Sequence, residues 1–128
     1  MMAALGCLVV WQVAGCRKPD ISSPAIVVEP EIAPWPARVG GAIITLRMSY
    51  PGGEAIKGAS VELEADMSHP GMRPEFGKAR EAGGGRYQGR LAFTMAGDWV
   101  VLMHIRLHDG TKLERQLEVK GVRANERN

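Results

Sequence analysis

Hydrophobic and polar residues alternate one by one along most of the chain after Val39. In residues 59–67, small or apolar side chains occupy every odd position, and Ser60, Glu62 and Asp66 are among the polar residues between them. Successive side chains of a β-strand point to opposite faces, so this pattern predicts a strand whose acidic face meets water. The same alternation predicts four further strands, within residues 44–48, 87–93, 99–107 and 113–119, and a returning strand is expected between residues 73 and 82.

Turn-forming residues separate these runs, and no ten-residue stretch carries the stripe of an amphipathic helix. The turns are Pro51-Gly52-Gly53, Pro70-Gly71, Gly83-Gly84-Gly85, Ala96-Gly97-Asp98 and Asp109-Gly110. Strands that recur about every ten residues with such turns are typical of an antiparallel sandwich. The sequence therefore predicts an all-β fold: a single immunoglobulin-like β-sandwich of six to seven strands.

The first fifteen residues are uncharged and mostly apolar, and the run stops at Cys16-Arg17-Lys18. It is shorter than the roughly 20 apolar residues of a membrane-spanning helix but suits an export signal. The run Val13-Ala14-Gly15-Cys16 resembles a bacterial lipobox, in which the Cys16 thiol accepts diacylglycerol. We therefore predict a signal peptide over residues 1–15 and a lipoprotein at the cell envelope, facing the periplasm or the exterior. Because no Lys or Arg precedes the apolar run, a buried first element of a cytosolic domain is the alternative.

Five of the eight prolines fall between Lys18 and Pro36, which is typical of an extended tether. We predict a lipidated cysteine and tether over residues 16–36, the sandwich over 37–121 and a disordered tail over 122–128. Residues 26–28 or Trp35 are candidates for a first strand at the edge of the sheet, which is where proline is tolerated.

Composition restricts the function further. The 128 residues are 45% hydrophobic and 23% charged, which suits one globular domain. Lys and Arg number 16 against 14 acids, and they are interspersed with acids rather than clustered, so we expect no nucleic-acid partner. Both cysteines, Cys7 and Cys16, precede the predicted domain, which excludes a disulfide or thiolate metal site within it.

Methionine and histidine gather near one predicted turn. Short connections between antiparallel strands reverse the chain, so the strands ending at Met67 and at Thr94 are expected to finish at the same end of the sandwich. The loops that carry Met72 and Met95 then become neighbours, and Trp99 is expected to be buried just beneath them.

Met67, His69, Met72 and Met95 would together form a soft, uncharged ligand set. Thioether and imidazole ligands favour Cu(I) over harder cations, and the indole of Trp99 would shield the ion by a cation–π contact. The sequence therefore suggests a Cu(I) site and no other cofactor.

A structural interpretation competes with the metal site. Met67 and Met95 follow inward-facing positions, where methionine serves as a flexible core filler, and residues 69–71 form an ordinary tight turn. Catalysis is not expected: Ser68 and His69 are adjacent on an extended chain and point to opposite faces, so they cannot align as in a hydrolytic triad. We therefore expect a protein that is not an enzyme.

Three stretches resemble the YtkA-like and FixH-like envelope domains. They are GASVELEADMSHPGM at residues 58–72, GRYQGRLAFTMAGDW at residues 85–99, and the strand after it, which ends in LHDG at residues 107–110. The similarity extends from Val39 to Val119. It implies an immunoglobulin-like sandwich outside the cytoplasm, whose relatives are associated with copper delivery to haem-copper oxidases or with metal efflux.

The resemblance also bears on single residues. It places Met67, His69 and Met72 in the family's Met/His-rich loop, and residues 95–99 in its Met-x-Gly-x-Trp turn. FixH-like proteins carry a transmembrane anchor, whereas this chain has a lipobox that ends at Cys16. The chain departs from that relative in its mode of attachment.

Two functional hypotheses follow. The first is a lipid-anchored binding module, attached to the membrane through Cys16, that binds Cu(I) in copper handling or oxidase assembly. The second is a structural or protein-interaction domain of the cell envelope, which would contact an envelope protein through an edge strand or a loop.

Overall fold

A computed structural model describes residues 25–125, which form β-strands joined by turns. No helix occurs in this range, and therefore none that is long and apolar enough to cross a membrane. The predicted signal peptide and Cys16 lie outside the described residues. The strands are β1 (Val27–Ala33), β2 (Gly40–Ser49), β3 (Ser60–Met67), β4 (Glu75–Gly83), β5 (Arg86–Phe93), β6 (Gly97–Arg106) and β7 (Lys112–Val122).

The strands form one antiparallel sheet in the order β1-β2-β5-β4-β3-β6-β7. Its two parts, β1-β2-β5-β4 and β3-β6-β7, have the strand order of the two sheets of an immunoglobulin constant domain. Hydrogen bonds between β3 and β4 join the two parts into a continuous sheet. The prediction of an all-β sandwich is confirmed, with seven strands.

The two ends of this sheet approach each other and nearly close it. Arg123, which follows β7, pairs with the link between β1 and β2: its N–H donates to the Ala37 carbonyl at 2.9 Å, and its carbonyl accepts from the Val39 N–H at 2.8 Å. A cavity of about 360 Å³ remains between β1 and β7 and is lined by residues that include Ile32 and Leu117. The closure holds the end of β7 in place.

Alternation along the strands builds the core. On β3, Val61, Leu63 and Ala65 are buried, while Glu62 faces solvent, as the sequence pattern predicts. No charged residue among residues 25–125 is buried. The largest fully buried side chains come from five strands and one loop, and they are Trp99, Tyr87, Phe93, Ile44, Leu46, Met48, Ile56, Leu63, Met103, Ile105, Val101 and Val119.

Strand β1 lies within the stretch predicted as a tether. Its residues pair with β2, with Val28 opposite Met48 and Pro30 opposite Leu46, and the preceding Ile26 is buried in the core. This is the edge strand that the sequence allowed at residues 26–28, whereas Trp35 lies outside the strands. The folded part therefore begins before residue 37, and it extends past residue 121 because β7 ends at Val122.

Tyr87 fixes the connection between β2 and β3, which crosses from one part of the sheet to the other. Its buried hydroxyl donates to the Ile56 carbonyl at 2.9 Å and accepts from the Ala59 N–H at 3.1 Å. Burial raises the pKa of this hydroxyl, so it stays protonated and remains a donor. The crossing loop is thus tied to the core by one side chain of β5.

Two glycines allow β4 and β5 to approach closely. A Cβ atom added to Gly77 would collide with the carbonyl oxygen of Arg90, and one added to Gly89 would collide with that of Lys78. Both obstacles are backbone atoms within a sheet, which cannot rotate away as a side chain does. Only glycine fits these two positions without moving a strand.

We predict that Gly89→Ala destabilises the domain by about 1–3 kcal/mol, the usual cost of overpacking. Gly41→Ala on β2 is the matched control because a Cβ there meets nothing within 4 Å. This control should change the free energy of unfolding by less than about 1 kcal/mol. Urea denaturation of both variants provides the measurement, and equal effects would contradict the close approach of β4 and β5.

Candidate functional site

The predicted ligand Met67 lies beside the turn that carries Met95. It is the last residue of β3 and pairs with Trp99 on β6. One residue further on, the Ser68 N–H donates to the Asp98 carbonyl at 3.4 Å. A Cβ atom added to Gly97 would lie 3.2 Å from the Met67 Cε. The end of β3 is therefore in direct contact with residues 97–99.

Trp99 forms the floor beneath this turn. Its side chain is 1% exposed, and its ring meets Phe93 edge to face, with the ring centroids 5.4 Å apart. The indole Nε1–H donates to the Met95 carbonyl at 2.9 Å. This hydrogen bond spans the turn and ties the backbone of Met95 to a side chain that the core holds rigidly.

The four predicted ligands all belong to this end of the sheet. Met67 ends β3, His69 and Met72 lie in the loop that leads to β4, and Met95 lies in the loop between β5 and β6. Met67 is half-buried and His69 is exposed, while Met72 and Met95 are 38% and 48% exposed. The topology places both loops at one end, as the sequence predicts, and the contacts join Met67 to the Met95 turn.

The remaining histidines lie elsewhere. His108 follows β6, at the opposite end of that strand from Trp99, and lies next to Gly58. His104 points away from the core, on the outer face of β6. In the part of the chain from 25 to 125, no three His, Cys, Asp or Glu side chains are grouped so that they could hold a metal ion. Metal binding at the Met67 end would therefore need the thioethers.

The outer face carries a second cluster, to which the sequence analysis gave no role. His104 lies between Glu64 on β3 and Glu114 on β7, within a groove of about 700 Å³ that Phe76 also lines. The hydrogen bond with Glu64, followed by the negative charges of the nearby glutamates, raises the pKa of His104 despite partial burial. The alternation pattern puts residues 62, 64 and 104 on the outward face of their strands. This is the signal in the sequence that could have revealed the cluster.

Asp66, next to Met67 in the chain, belongs to the same outer face. Partial burial and the neighbouring carboxylate of Glu64 raise its pKa, although His104 counteracts part of this effect. The acidic residues of β3 therefore interact with one another and with His104 on this face. They belong to the face opposite the core, separate from the methionine loops.

An antiparallel sandwich of immunoglobulin topology, with methionine-bearing loops at one end and no helix among residues 25–125, defines the class of this domain. The family model described as YtkA-like matches residues 24–104, and the chain belongs to this family. The match spans β1 to most of β6 and includes all four predicted ligands. Neither the curated proteins nor the solved structures contain a match to the chain.

We predict that Trp99→Ala lowers the free energy of unfolding by about 3–5 kcal/mol, because it removes a large, fully buried side chain. Trp35→Ala is the matched control, since Trp35 is 71% exposed and should cost less than about 0.5 kcal/mol. Chemical denaturation followed by circular dichroism measures both. In a Trp11→Phe, Trp35→Ala variant, where Trp99 is the remaining tryptophan, red-shifted and readily quenched emission would contradict its burial.

Proposed function

We propose that this chain is a non-enzymatic, extracytoplasmic binding module that holds Cu(I) with Met67, His69, Met72 and Met95. The observation that carries the proposal is the contact of Met67 with the Met95–Trp99 turn. This contact brings Met67 against the turn that carries Met95, and His69 and Met72 follow Met67 in the loop that leaves β3. Thioether and imidazole ligands favour a soft monovalent cation, which supports the proposal. Membership of the YtkA-like family supports a binding role outside the cytoplasm.

The arrangement suits reversible binding. Exposed thioethers on Met72 and Met95 are accessible to an ion from solvent, and the half-buried Met67 would be the inner ligand. Thioether ligands carry no charge, so an ion with a single positive charge is easier to desolvate there than a divalent one. The rigid floor at Trp99 limits how far the Met95 turn can move when an ion enters or leaves.

A titration with Cu(I) against a competing chelator tests this proposal. The titration uses a Cys7→Ser, Cys16→Ser background, because the two thiols would themselves bind Cu(I). This protein should bind one Cu(I), and the same background with Met67→Leu, His69→Ala and Met72→Leu should bind more than about tenfold more weakly, a loss above about 1.4 kcal/mol. Leucine preserves most of the side-chain volume of methionine, so the fold is retained. His108→Ala, at the other end of the sandwich, is the control and should leave the affinity unchanged.

A domain that structures or contacts an envelope protein is the second candidate. It is favoured by the exposed aromatic side chains of Trp35 and Phe76, which contribute little to the core. Exposed aromatic residues are enriched at protein interfaces. If the wild type and the variant are both well folded and neither takes up Cu(I), the copper site is rejected. The interaction domain is then the favoured candidate.

We further propose that Cys16 carries a lipid that attaches the domain to a membrane. One acyl chain gives marginal membrane affinity, whereas the several chains of a lipoprotein hold it stably. In a bacterial host, the wild type should partition into detergent, and Cys16→Ser should remain unprocessed by the lipoprotein peptidase. Cys7→Ser is the matched control and should be processed normally. A wild type that keeps its Met1 and remains in the cytosol would contradict the anchor.

A further inference from the structure

Both ring nitrogens of His104 contact a carboxylate. The Nε2 atom lies 2.8 Å from Glu64 Oε2 on β3, and the Nδ1 atom lies 3.1 Å from Glu114 Oε2 on β7. His104 itself lies on β6, the strand between them. One side chain therefore bridges two strands that are not neighbours in the sheet.

The strength of this bridge depends on pH because an imidazole ring gains or loses a proton. A neutral imidazole has one N–H and one bare nitrogen, and an ionised carboxylate only accepts hydrogen bonds. The Glu64 contact is a hydrogen bond, and the Glu114 contact is a charge contact at ion-pair distance. Both attract the ring at the same time only when it is doubly protonated and positively charged. In the neutral ring, one of the two carboxylates faces a nitrogen lone pair.

The surrounding charges favour the protonated ring. On β3, Glu62 is directly opposite His104 and Asp66 lies further along the same face. Next to the turn between β6 and β7, Arg106 of β6 pairs with Lys112 of β7. These two residues place positive charge at that end of the cluster. Glu64, Glu114 and Glu62 outweigh these cations and partial burial, and they hold the pKa of His104 above its usual range.

Strand β7 is held unequally along its length. Its end is fixed by the Arg123 backbone pairing and by the Gly121 N–H, which donates to Asp98 Oδ1 at 2.9 Å. Its first half, residues 112–116, is held by its pairing with β6 and by the β6–β7 turn, where the Leu107 N–H donates to the Thr111 carbonyl at 2.8 Å, and it has no counterpart of the Arg123 pairing. The contact between His104 and Glu114 lies in this less restrained half.

We propose that His104 is a pH-sensitive latch, which ties the first half of β7 to β3 when the ring is protonated and releases it when the ring loses a proton. Release leaves the carboxylates of Glu64 and Glu114 without the cation between them. The first half of β7 then opens more often, and the groove on the outer face widens. The backbone pairing at Arg123 keeps the other end of the strand in place.

The direction of the pH effect follows from linkage. The pKa of His104 is higher in the folded chain than its ordinary value of about 6.5, which applies to the unfolded chain. Protonated His104 therefore stabilises the fold fully below about pH 6.5. This stabilisation is lost as the pH rises through the folded pKa. The latch is closed in mild acid and open in alkali.

NMR titration of the histidine rings in the full-length protein tests the first half of the proposal. His104→Gln identifies the His104 signal by its loss, and the measured pKa should lie above 6.5. Glu64→Gln and Glu114→Gln should each lower this pKa. Glu118→Gln, an exposed position on the outer face of β7, is the control and should shift it less than either. A His104 pKa at or below 6.5 in the wild type would overturn the latch.

Amide hydrogen exchange, corrected for its intrinsic pH dependence, tests the second half. Protection at residues 112–116 should fall severalfold as the pH rises through the measured His104 pKa, and protection at 118–122 should change less. In His104→Gln this pH dependence should disappear while the fold remains. A merely structural histidine would leave the same pH dependence in wild type and variant, and that result would refute the proposal.

Discussion

The register between β3 and β6 is the constraint on which the rest of the structure depends. It aligns Met67 with Trp99 and places Val61 opposite Ile105, so both strands present their apolar residues to the same core. Because side chains alternate with a period of two, a slip of one residue would turn Trp99 towards solvent and His104 into the core. Burial of a tryptophan on one side and solvation of carboxylates on the other both oppose such a slip. The register is therefore fixed from both faces of the sheet.

The same register produces two chemically distinct regions, one at the end of the sheet and one on its outer face. Towards the end of the sheet, it brings the end of β3 against the turn before Trp99, where the indole N–H holds the Met95 carbonyl. On the outer face, it places the acidic residues of β3 beside His104 on β6. His104 in turn contacts Glu114 on β7. Soft, uncharged side chains thus gather at the loops, while titratable groups gather on the flat face. The two regions share strands but no side chains, so each can be altered without removing the other.

The edges of the sheet show how the domain limits unwanted pairing. Strand β1 carries Pro30, which lacks an N–H, between Glu29 and Glu31, and such residues discourage the addition of another strand. Strand β7 is protected differently, because its end pairs with the link that precedes β2 and nearly closes the sheet. The first half of β7 lacks that support and depends on its pairing with β6 and on the charge of His104. Backbone hydrogen bonds therefore stabilise the two halves of β7 unequally. The pH-dependent contribution of His104 acts on the first half, where the backbone contributes less.

The sequence by itself determined strands β2, β3, β5, β6 and β7, their buried faces and the fold class, because alternation with a period of two and turn residues are local signals. It left β1 as one possibility within a predicted tether. It also placed the loops of Met67 and Met95 at one end, since reversal of direction between strands follows from connectivity alone. It did not determine the tie from Trp99 to the Met95 carbonyl, the steric need for Gly77 and Gly89, or the bridge from Glu64 through His104 to Glu114. These depend on which strands become neighbours and in what register, and partners as far apart in the chain as Glu64 and His104 are brought together only by the tertiary structure.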